Sequence, residues 1–281
     1  MTQIASRQNP RLKAIKRLQS KRERARSGMF LAEGEDLVAA AKDAGWPVRE
    51  GYRVAGSGLG GEEFTDVQEA ALAAVSTLGS GTRVIGVYEQ RWAARAQGPL
   101  CVYLHGVGDP GNVGAVLRSA KAFGASSVAI GRDCADPYAP KAVRASMGAI
   151  FAVALARVGD VEELPGERIA LVAHGGEILR GPSALGRDDA TTSEAEAAGE
   201  AAMTNEATTA DGEETRSEGP RAAGSVTLLV GAEREGLPAD VVSACERTAR
   251  IPIAAESLNA AMAATVALYE MTRGSTRVTA R

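Results

Sequence analysis

Cysteine is scarce and scattered in this 281-residue chain. Cys101, Cys134 and Cys245 are odd in number and far apart, which argues against a disulfide framework and a Cys-type zinc site. Histidine is scarcer still: His105 and His174 stand at no familiar metal spacing with those cysteines. Each follows an apolar run that reads as a strand, where a polar strand-end role suits it, and no metal is expected. Aromatic residues make up 4% of the chain, so base stacking is not expected to be the main source of recognition. No apolar run approaches the ~20 residues of a membrane span. The N-terminus is polar and basic and lacks the apolar core of a signal peptide. A reducing, cytoplasmic setting without a membrane partner is the expectation.

Charge is present but unevenly placed. The net charge is only −3, yet residues 7–26 carry nine basic side chains against Glu23 alone. Residues 187–221 hold ten acids against three arginines, a net −7 that leaves the rest of the chain at about +4. One end therefore suits a polyanion. The acidic stretch, at about 182–224, is rich in Ala, Glu, Thr, Ser and Gly, with almost no large apolar side chain. It cannot bury enough surface to offset its ordering entropy and reads as a disordered insert.

Hydrophobic periodicity divides the remainder. Residues 10–26 read as one basic helix with a thin apolar seam of Leu12, Ile15, Leu18 and Ala25. Met29–Ala32 reads as a strand, Gly34–Ala44 as a helix, Tyr52–Val54 as a strand, Asp66–Leu78 as a helix and Thr82–Val87 as a strand. This small N-terminal α/β domain, 1–90, is followed by a linker at 91–99. From Leu100 onward, strands are expected at 100–104, 127–130, 168–173, 226–230 and 249–251. Helices are expected at 112–123, 139–147, 238–245 and 257–272. That alternation predicts an α/β fold with a mostly parallel sheet covered by helices in a domain spanning 100–281.

Three motifs sit where ligands bind such sheets, at the carboxyl ends of strands. The first is Asp109-Pro-Gly-Asn-Val-Gly-Ala-Val-Leu-Arg118. It follows the apolar run Leu100–Leu104, with Asn112 as the expected N-cap of the next helix. His105-Gly-Val-Gly-Asp-Pro-Gly111 also satisfies a dinucleotide-type glycine pattern. Its third glycine falls before the expected cap rather than inside the helix, which argues against nicotinamide binding. The second motif is Gly231-Ala-Glu-Arg-Glu-Gly-Leu-Pro238. Leu237 and Pro238 replace the Lys and Ser/Thr of a Walker loop, and Glu233 beside two glycines points to a ligand site. The third runs from Ile251-Pro252 through Ser257-Leu-Asn259 into an alanine-rich helix. Ser257 and Asn259 lower helix propensity unless they bond something, so either is a candidate cap or ligand contact.

These three motifs in this order resemble the SPOUT methyltransferases, in particular the TrmH/SpoU type that methylates RNA ribose 2′-hydroxyls. The resemblance rests on Asn112-x-Gly114-x-x-x-Arg118, on Gly231-Ala-Glu233-x-x-Gly236-Leu237, and on Ile251-Pro252 with Ser257-Leu-Asn259 and Leu268-Tyr-Glu270. Cys134-Ala-Asp-Pro-Tyr138 and Arg144-Ala-Ser-Met-Gly148 resemble the family's middle segment. Ser6-x-x-Asn9-Pro10 and Phe30-Leu-Ala-Glu-Gly34 resemble the L30e-like substrate-binding domain that often precedes it. One departure is visible: the turn between Pro252 and Ser257 is shorter than usual and lacks the customary glycine.

The resemblance implies a trefoil knot in the C-terminal chain and a homodimer. It implies S-adenosylmethionine as the cofactor, contacted at Gly231, Ile251 and Leu258. It implies Arg118 as the group that assists loss of the hydroxyl proton, with Asn112, Glu233, Ser257 and Asn259 completing the catalytic pocket. Arginine has a pKa above about 12 and resists deprotonation. Arg118 would then act either as a transiently neutral base or as a stabiliser of the developing alkoxide. RNA contact is expected at Arg7, Arg11, Lys13, Lys16 and Arg17, through phosphates. Ribosomal RNA is the expected substrate, from the resemblance of the N-terminal domain. A tRNA methyltransferase, a catalytically silent RNA-binding module and a nicotinamide enzyme are the alternatives.

Overall fold

The computed structural model describes residues 3–78, 81–181 and 224–273. The acidic stretch expected to be disordered lies outside the described residues except for Gly224.

The chain begins with α1 (Pro10–Arg17) and α2 (Lys21–Ser27), two helices where the sequence suggests one. The break has a cause. Asn9 caps α1, with Pro10 in its first turn, and the Ser20 side chain caps α2. Between them, the Arg24 guanidinium donates to the carbonyls of Leu18 and Gln19, at 3.0 and 2.8 Å. The elbow is held by side chains that a helical period does not reveal.

A four-stranded sheet follows, built from β1 (Met29–Glu33), β2 (Glu50–Val54), β3 (Phe64–Val67) and β4 (Val84–Glu89) in the order β1-β4-β2-β3. Helix α3 (Glu35–Asp43) connects β1 to β2, and α4 (Glu69–Ala73) lies between β3 and β4. Strand β3 and short α4 replace the single helix expected over Asp66–Leu78. Phe64–Val67 pairs in parallel with Gly51–Val54, and Ile4 bridges Val67 on its other side. Pairing on both sides overrides the helix propensity of the alanines that follow.

The second sheet has seven strands, every pair parallel, in the order β7-β6-β5-β10-β8-β11-β9. Its strands are β5 (Leu100–Leu104), β6 (Ser127–Ile130), β7 (Ala154–Arg157), β8 (Glu167–Leu171), β9 (Glu177–Ile178), β10 (Val226–Val230) and β11 (Arg247–Arg250). The central strands are fully buried runs such as Val102, Leu104, Val128, Leu228 and Leu229, as a sheet covered on both faces requires. Edge strand β9 is two residues long, and β7 takes only the end of the apolar run Ala149–Ala156, whose start is a 3-10 turn, so neither is delimited by the sequence pattern. The helices are α5 (Pro110–Ala122), α6 (Pro140–Ala145), α7 (Ala239–Ser243) and α8 (Ala260–Thr272). None of the helices among the described residues is long and apolar enough to cross a membrane.

The two sheets share a core. Phe30, Trp46 and Tyr88 of the first unit pack against Tyr138 and Phe151 of the second, with Phe30 and Tyr138 ring centroids 4.7 Å apart. Arg24, 3% exposed, crosses to Asp136 at 2.7 Å. The expected linker is pinned as well: Tyr138 bonds the backbone of Arg91, and Ala93 bridges Ala156 at the edge of the larger sheet.

Candidate active site

Strands β5, β10, β8 and β11 are consecutive neighbours, and the three sequence motifs leave the carboxyl ends of β5, β10 and β11. The first motif enters α5. Its N-cap is Asp109, whose side chain accepts from the Asn112 backbone N–H at 3.0 Å, and Pro110 occupies the first turn. Asn112 is therefore not the cap, and Gly111 lies inside the helix rather than in the turn. With Asp109 as the cap, the Asn112 side chain is free for another task. Lys141 bonds Asp109 at 2.6 Å and, with the Asn112 N–H, holds that carboxyl below its usual pKa.

The freed Asn112 amide joins all three motifs. Its Nδ2 donates to Oε1 of Glu233, and its Oδ1 accepts from Nδ2 of Asn259 at 3.1 Å. Asn259 is the N-cap of α8, and its Oδ1 accepts from the N–H groups of Ala261 and Met262, at 2.9 and 3.4 Å. A carboxylate accepts only and backbone N–H donates only, so the two ends of this relay fix both amide orientations. One face of α5 continues the contact. Ser119, seven residues beyond Asn112, lies 2.6 Å from the Thr265 hydroxyl, which itself donates to the Ala261 carbonyl. Sequence reasoning misses this second contact; the matched spacing of polar residues on two otherwise apolar helices is the signal that would have found it.

Arg118 lies about 100° around α5 from Ser119, on the stripe that carries Gly111 and Gly114. That stripe faces α6. A Cβ on Gly114 would stand 2.3 Å from the Ala142 carbonyl oxygen, so only glycine lets the helices approach this closely. Arg118 itself is exposed and makes no hydrogen bond or ion pair among the described residues. Ser257 is also exposed, and no hydrogen bond joins it to the relay. Asn112, Glu233 and Asn259 are thus brought together, with Arg118 on the same helix but unattached.

The positions expected to contact a cofactor fall on the two loops that straddle β8. Gly231 is buried, while Ile251 and Leu258 are half-buried. Gly231 sits at the neck of a tight loop closed by paired hydrogen bonds between Ala232 and Gly236, and a Cβ there would stand 2.1 Å from the Gly236 carbonyl carbon. This closure presents Glu233 to Asn112. Backbone amides and half-buried aliphatic side chains at the ends of strands one apart in the sheet fit a nucleoside-sized group held largely through main-chain contacts. Ile251 and Pro252 also border a cleft of about 440 Å³ beside α8, lined by Ile178, Val266, Glu270 and Arg273 but not by Gly231 or Leu258. Next to that cleft, Met262, Val266 and Tyr269 form an exposed apolar stripe on α8.

Of the expected RNA contacts, Arg7, Lys13, Lys16 and Arg17 are exposed and form no ion pair among the described residues. Arg11 pairs with Glu50 at 3.6 Å and stacks on Tyr52. Arg24, counted in the same basic run, is a buried tie between the two units.

Comparison with known proteins identifies the relatives of this chain. The model of the SpoU rRNA Methylase family matches residues 99–175 and 187–269, and that of the MRM3-like substrate binding domain matches 9–90. A 23S rRNA (guanosine(2553)-2′-O)-methyltransferase of Bacillus subtilis is 26% identical over 96% of this chain and 99% of its own length. A 23S rRNA (uridine(2479)-2′-O)-methyltransferase of Streptomyces viridochromogenes is 30% identical over 91% of this chain and 86% of its own. The crystal structure of an AdoMet-bound rRNA methyltransferase from Sinorhizobium meliloti superposes with a TM-score of 0.72, at 28% identity, over 98% of both chains.

Proposed function

The chain belongs to the SpoU rRNA methylase family, and from that premise we propose that it transfers a methyl group from S-adenosylmethionine to a ribose 2′-hydroxyl of ribosomal RNA. The observation that carries this reading is the relay Glu233–Asn112–Asn259, which wires three separate motifs into one site on the helix that bears Arg118. The named relatives that act on ribosomal RNA 2′-hydroxyls, and the AdoMet-bound structure, support substrate and cofactor. Family membership displaces the nicotinamide alternative.

S-adenosylmethionine supplies the methyl group as an electrophilic carbon on a positively charged sulfur. The hydroxyl oxygen must bond to that carbon as the carbon–sulfur bond breaks, and the hydroxyl proton must leave. The chain contributes geometry and charge. Gly231, Ile251 and Leu258 would hold the cofactor at the carboxyl ends of β10 and β11. Asn112, fixed at both ends, would orient the ribose. Arg118 has no carboxylate partner among the described residues, and its guanidinium offers N–H donors only, with no acceptor. Its role is then to stabilise negative charge growing on the 2′-oxygen, while the proton passes to water or phosphate. Ser257, exposed beside Asn259, would close the pocket over the ribose.

Two features of the assembly belong to the same proposal. Homodimerisation through α8 is supported by the stripe of Met262, Val266 and Tyr269, whose apolar surface would otherwise face water. A knotted C-terminal chain is supported by the return of α8 from the β11 edge to pack on α5 and β10, across β8. The test is transfer of radiolabelled methyl from S-adenosylmethionine to ribosomal RNA from a strain lacking the gene. The product should contain one ribose whose 3′ phosphodiester resists alkali. Label on a base, or no label, would overturn the reading.

A further inference from the structure

Four tyrosines are almost fully buried: Tyr52, Tyr88, Tyr103 and Tyr138. Three hydroxyls have partners, in Glu50, His105 and the backbone of Arg91 respectively. The Tyr88 hydroxyl has none among the described residues, although Tyr88 is 2% exposed. A buried hydroxyl without a partner costs free energy, and native structures rarely leave one unexplained. It is not sealed in: Ser225 is the one enclosed side chain without a partner among the described residues, and Tyr88 lines an open pocket of about 250 Å³.

The walls of that pocket are built from the sheet upward. Gly51 and Gly86 face each other across β2 and β4. A Cβ on Gly51 would come 2.6 Å from the Phe64 ring, and one on Gly86 would come 2.7 Å from the Tyr88 hydroxyl oxygen. The glycine pair thus lets two aromatic rings lie against the sheet. Trp46 forms a further wall, its Nε1 fixed to the Phe151 carbonyl at 2.9 Å. Lys42 and Glu63 border the opening, and neither forms an ion pair among the described residues. Burial and then the Glu63 carboxylate push the Tyr88 pKa up to about 12, so the hydroxyl keeps its proton.

We propose that this pocket receives one unstacked base of the RNA substrate, laid beside Trp46, its one half-buried aromatic, with its edge on Tyr88 and Glu63 and its phosphate on Lys42. The proposal rests on the reading that the chain methylates RNA, and it names where that RNA is read. Sequence-specific RNA recognition targets bases splayed out of the stack and laid on aromatic side chains. The volume lies below the ~300 Å³ floor of ordinary small-molecule sites, so it suits a base rather than a whole nucleotide cofactor. A hydroxyl that donates beside a carboxylate that accepts matches a base edge with a ring acceptor next to an amino group. The domain is the one that matches a substrate-binding family. Phe151, which anchors Trp46, belongs to the 3-10 turn Ala149–Phe151, and that turn packs on the helix carrying Arg118. A base seated here would be held in fixed register with the methyl-transfer site. Trp46, Phe64 and Tyr88 are the aromatic residues that line it.

The test uses the full chain with short homopolymeric RNAs of A, C, G and U, read by tryptophan fluorescence, together with methyl-transfer kinetics on ribosomal RNA. The wild type should prefer a base with an amino group. Tyr88→Phe and Glu63→Gln should each weaken the preferred oligonucleotide about tenfold and level the preference, the loss expected for a hydrogen bond to a charged or buried group. Lys42→Ala should weaken all four equally and lower the salt slope by the share of about one phosphate. Affinity for S-adenosylmethionine should not change. Equal affinity of wild type and Tyr88→Phe for every oligonucleotide, with unchanged KM on ribosomal RNA, would overturn the pocket while leaving methyl transfer intact. Absence of methyl transfer with base preference retained would overturn the function and leave the pocket. Variants that bind RNA normally but lose association with ribosomal proteins would assign the pocket to a protein side chain and overturn the proposal.

Discussion

Arg24 and Arg118 are the same residue in opposite settings. Arg24 is 3% exposed and commits its guanidinium to the Leu18 and Gln19 carbonyls and to Asp136. Each of these bonds holds protein to protein. Arg118 is exposed, on a helix wedged between α6 and α8, and bonds nothing among the described residues. Around Arg24 the two units merge through an aromatic cluster; on α5, Asn112 and Ser119 bond groups of other elements, while Arg118 has no partner among the described residues. Satisfied charge in a closed junction serves the fold, and the unpaired charge on α5 is the one proposed to serve a ligand.

The sharpest way to break that contrast is to remove each guanidinium in turn. Arg118→Ala should lower turnover roughly 10²- to 10⁴-fold, the range for a group that assists proton loss in a transition state. Its melting temperature and its affinity for S-adenosylmethionine should match the wild type. Near-normal turnover would remove Arg118 from the chemistry. Arg24→Ala should do the reverse. It leaves Asp136 and two carbonyls without their partner in a closed junction, a loss of about 3 kcal/mol in unfolding free energy. At a temperature where the variant is folded, its turnover with saturating RNA should be close to normal. Equal thermal stability of Arg24→Ala and wild type would mean that the junction does not depend on this tie.

How much of this can be read from sequence depends on which forces decide each element. Strands 100–104, 127–130 and 226–230 match the structure residue for residue, because continuous apolar runs leave a buried strand little choice. Strand Phe64–Val67 reads partly as helix, because its pairing with Gly51–Val54 is a long-range fact and its alanine-rich sequel is a local one. The site divides in the same way. Asn112, Glu233 and Asn259 stand out because polar residues at strand ends and helix starts need partners. That they are each other's partners is not legible, since nothing along the chain says that α8 returns to α5. Asn112 suits a cap by pattern alone; Asp109 takes that position because Pro110 follows it directly. Arg24 looks like one more phosphate contact in a basic run, and only tertiary structure removes it.

The basic run gives the next test. If free cations meet the ligand and paired ones do not, RNA affinity should depend on Lys13, Lys16 and Arg17 and not on Arg26, which bonds Glu23. Replacing Lys13, Lys16 and Arg17 together with alanine should flatten the plot of log affinity against log salt by about 0.7 to 0.9 for each phosphate no longer neutralised. Arg26→Ala should leave the slope as it is. An unchanged slope in the triple variant would move the phosphate footprint to the larger unit.

The smallest effect is expected at a third arginine, which lies between the two extremes. Arg168 is 12% exposed and bonds Glu246, which is 32% exposed, at 2.7 Å. The Arg168 hydrogen bond is the largest cause lowering the Glu246 carboxyl from 4.5 to about 2. A depressed folded-state pKa contributes stability that is fully present above the unfolded value and is lost as pH falls through the folded one. For this pair the window runs from about 4.5 down to about 2. Water reaches Glu246, so the contribution should stay within about 1 kcal/mol, the ceiling for solvent-facing pairs. Glu246→Gln should therefore be slightly less stable than wild type at neutral pH, and the two unfolding curves should converge as pH approaches 2. A difference that persists at the acid end would mean that the side chain acts through packing rather than charge. A neutral-pH loss as large as that of Arg24→Ala would break the link between burial and structural weight on which the comparison of the arginines rests.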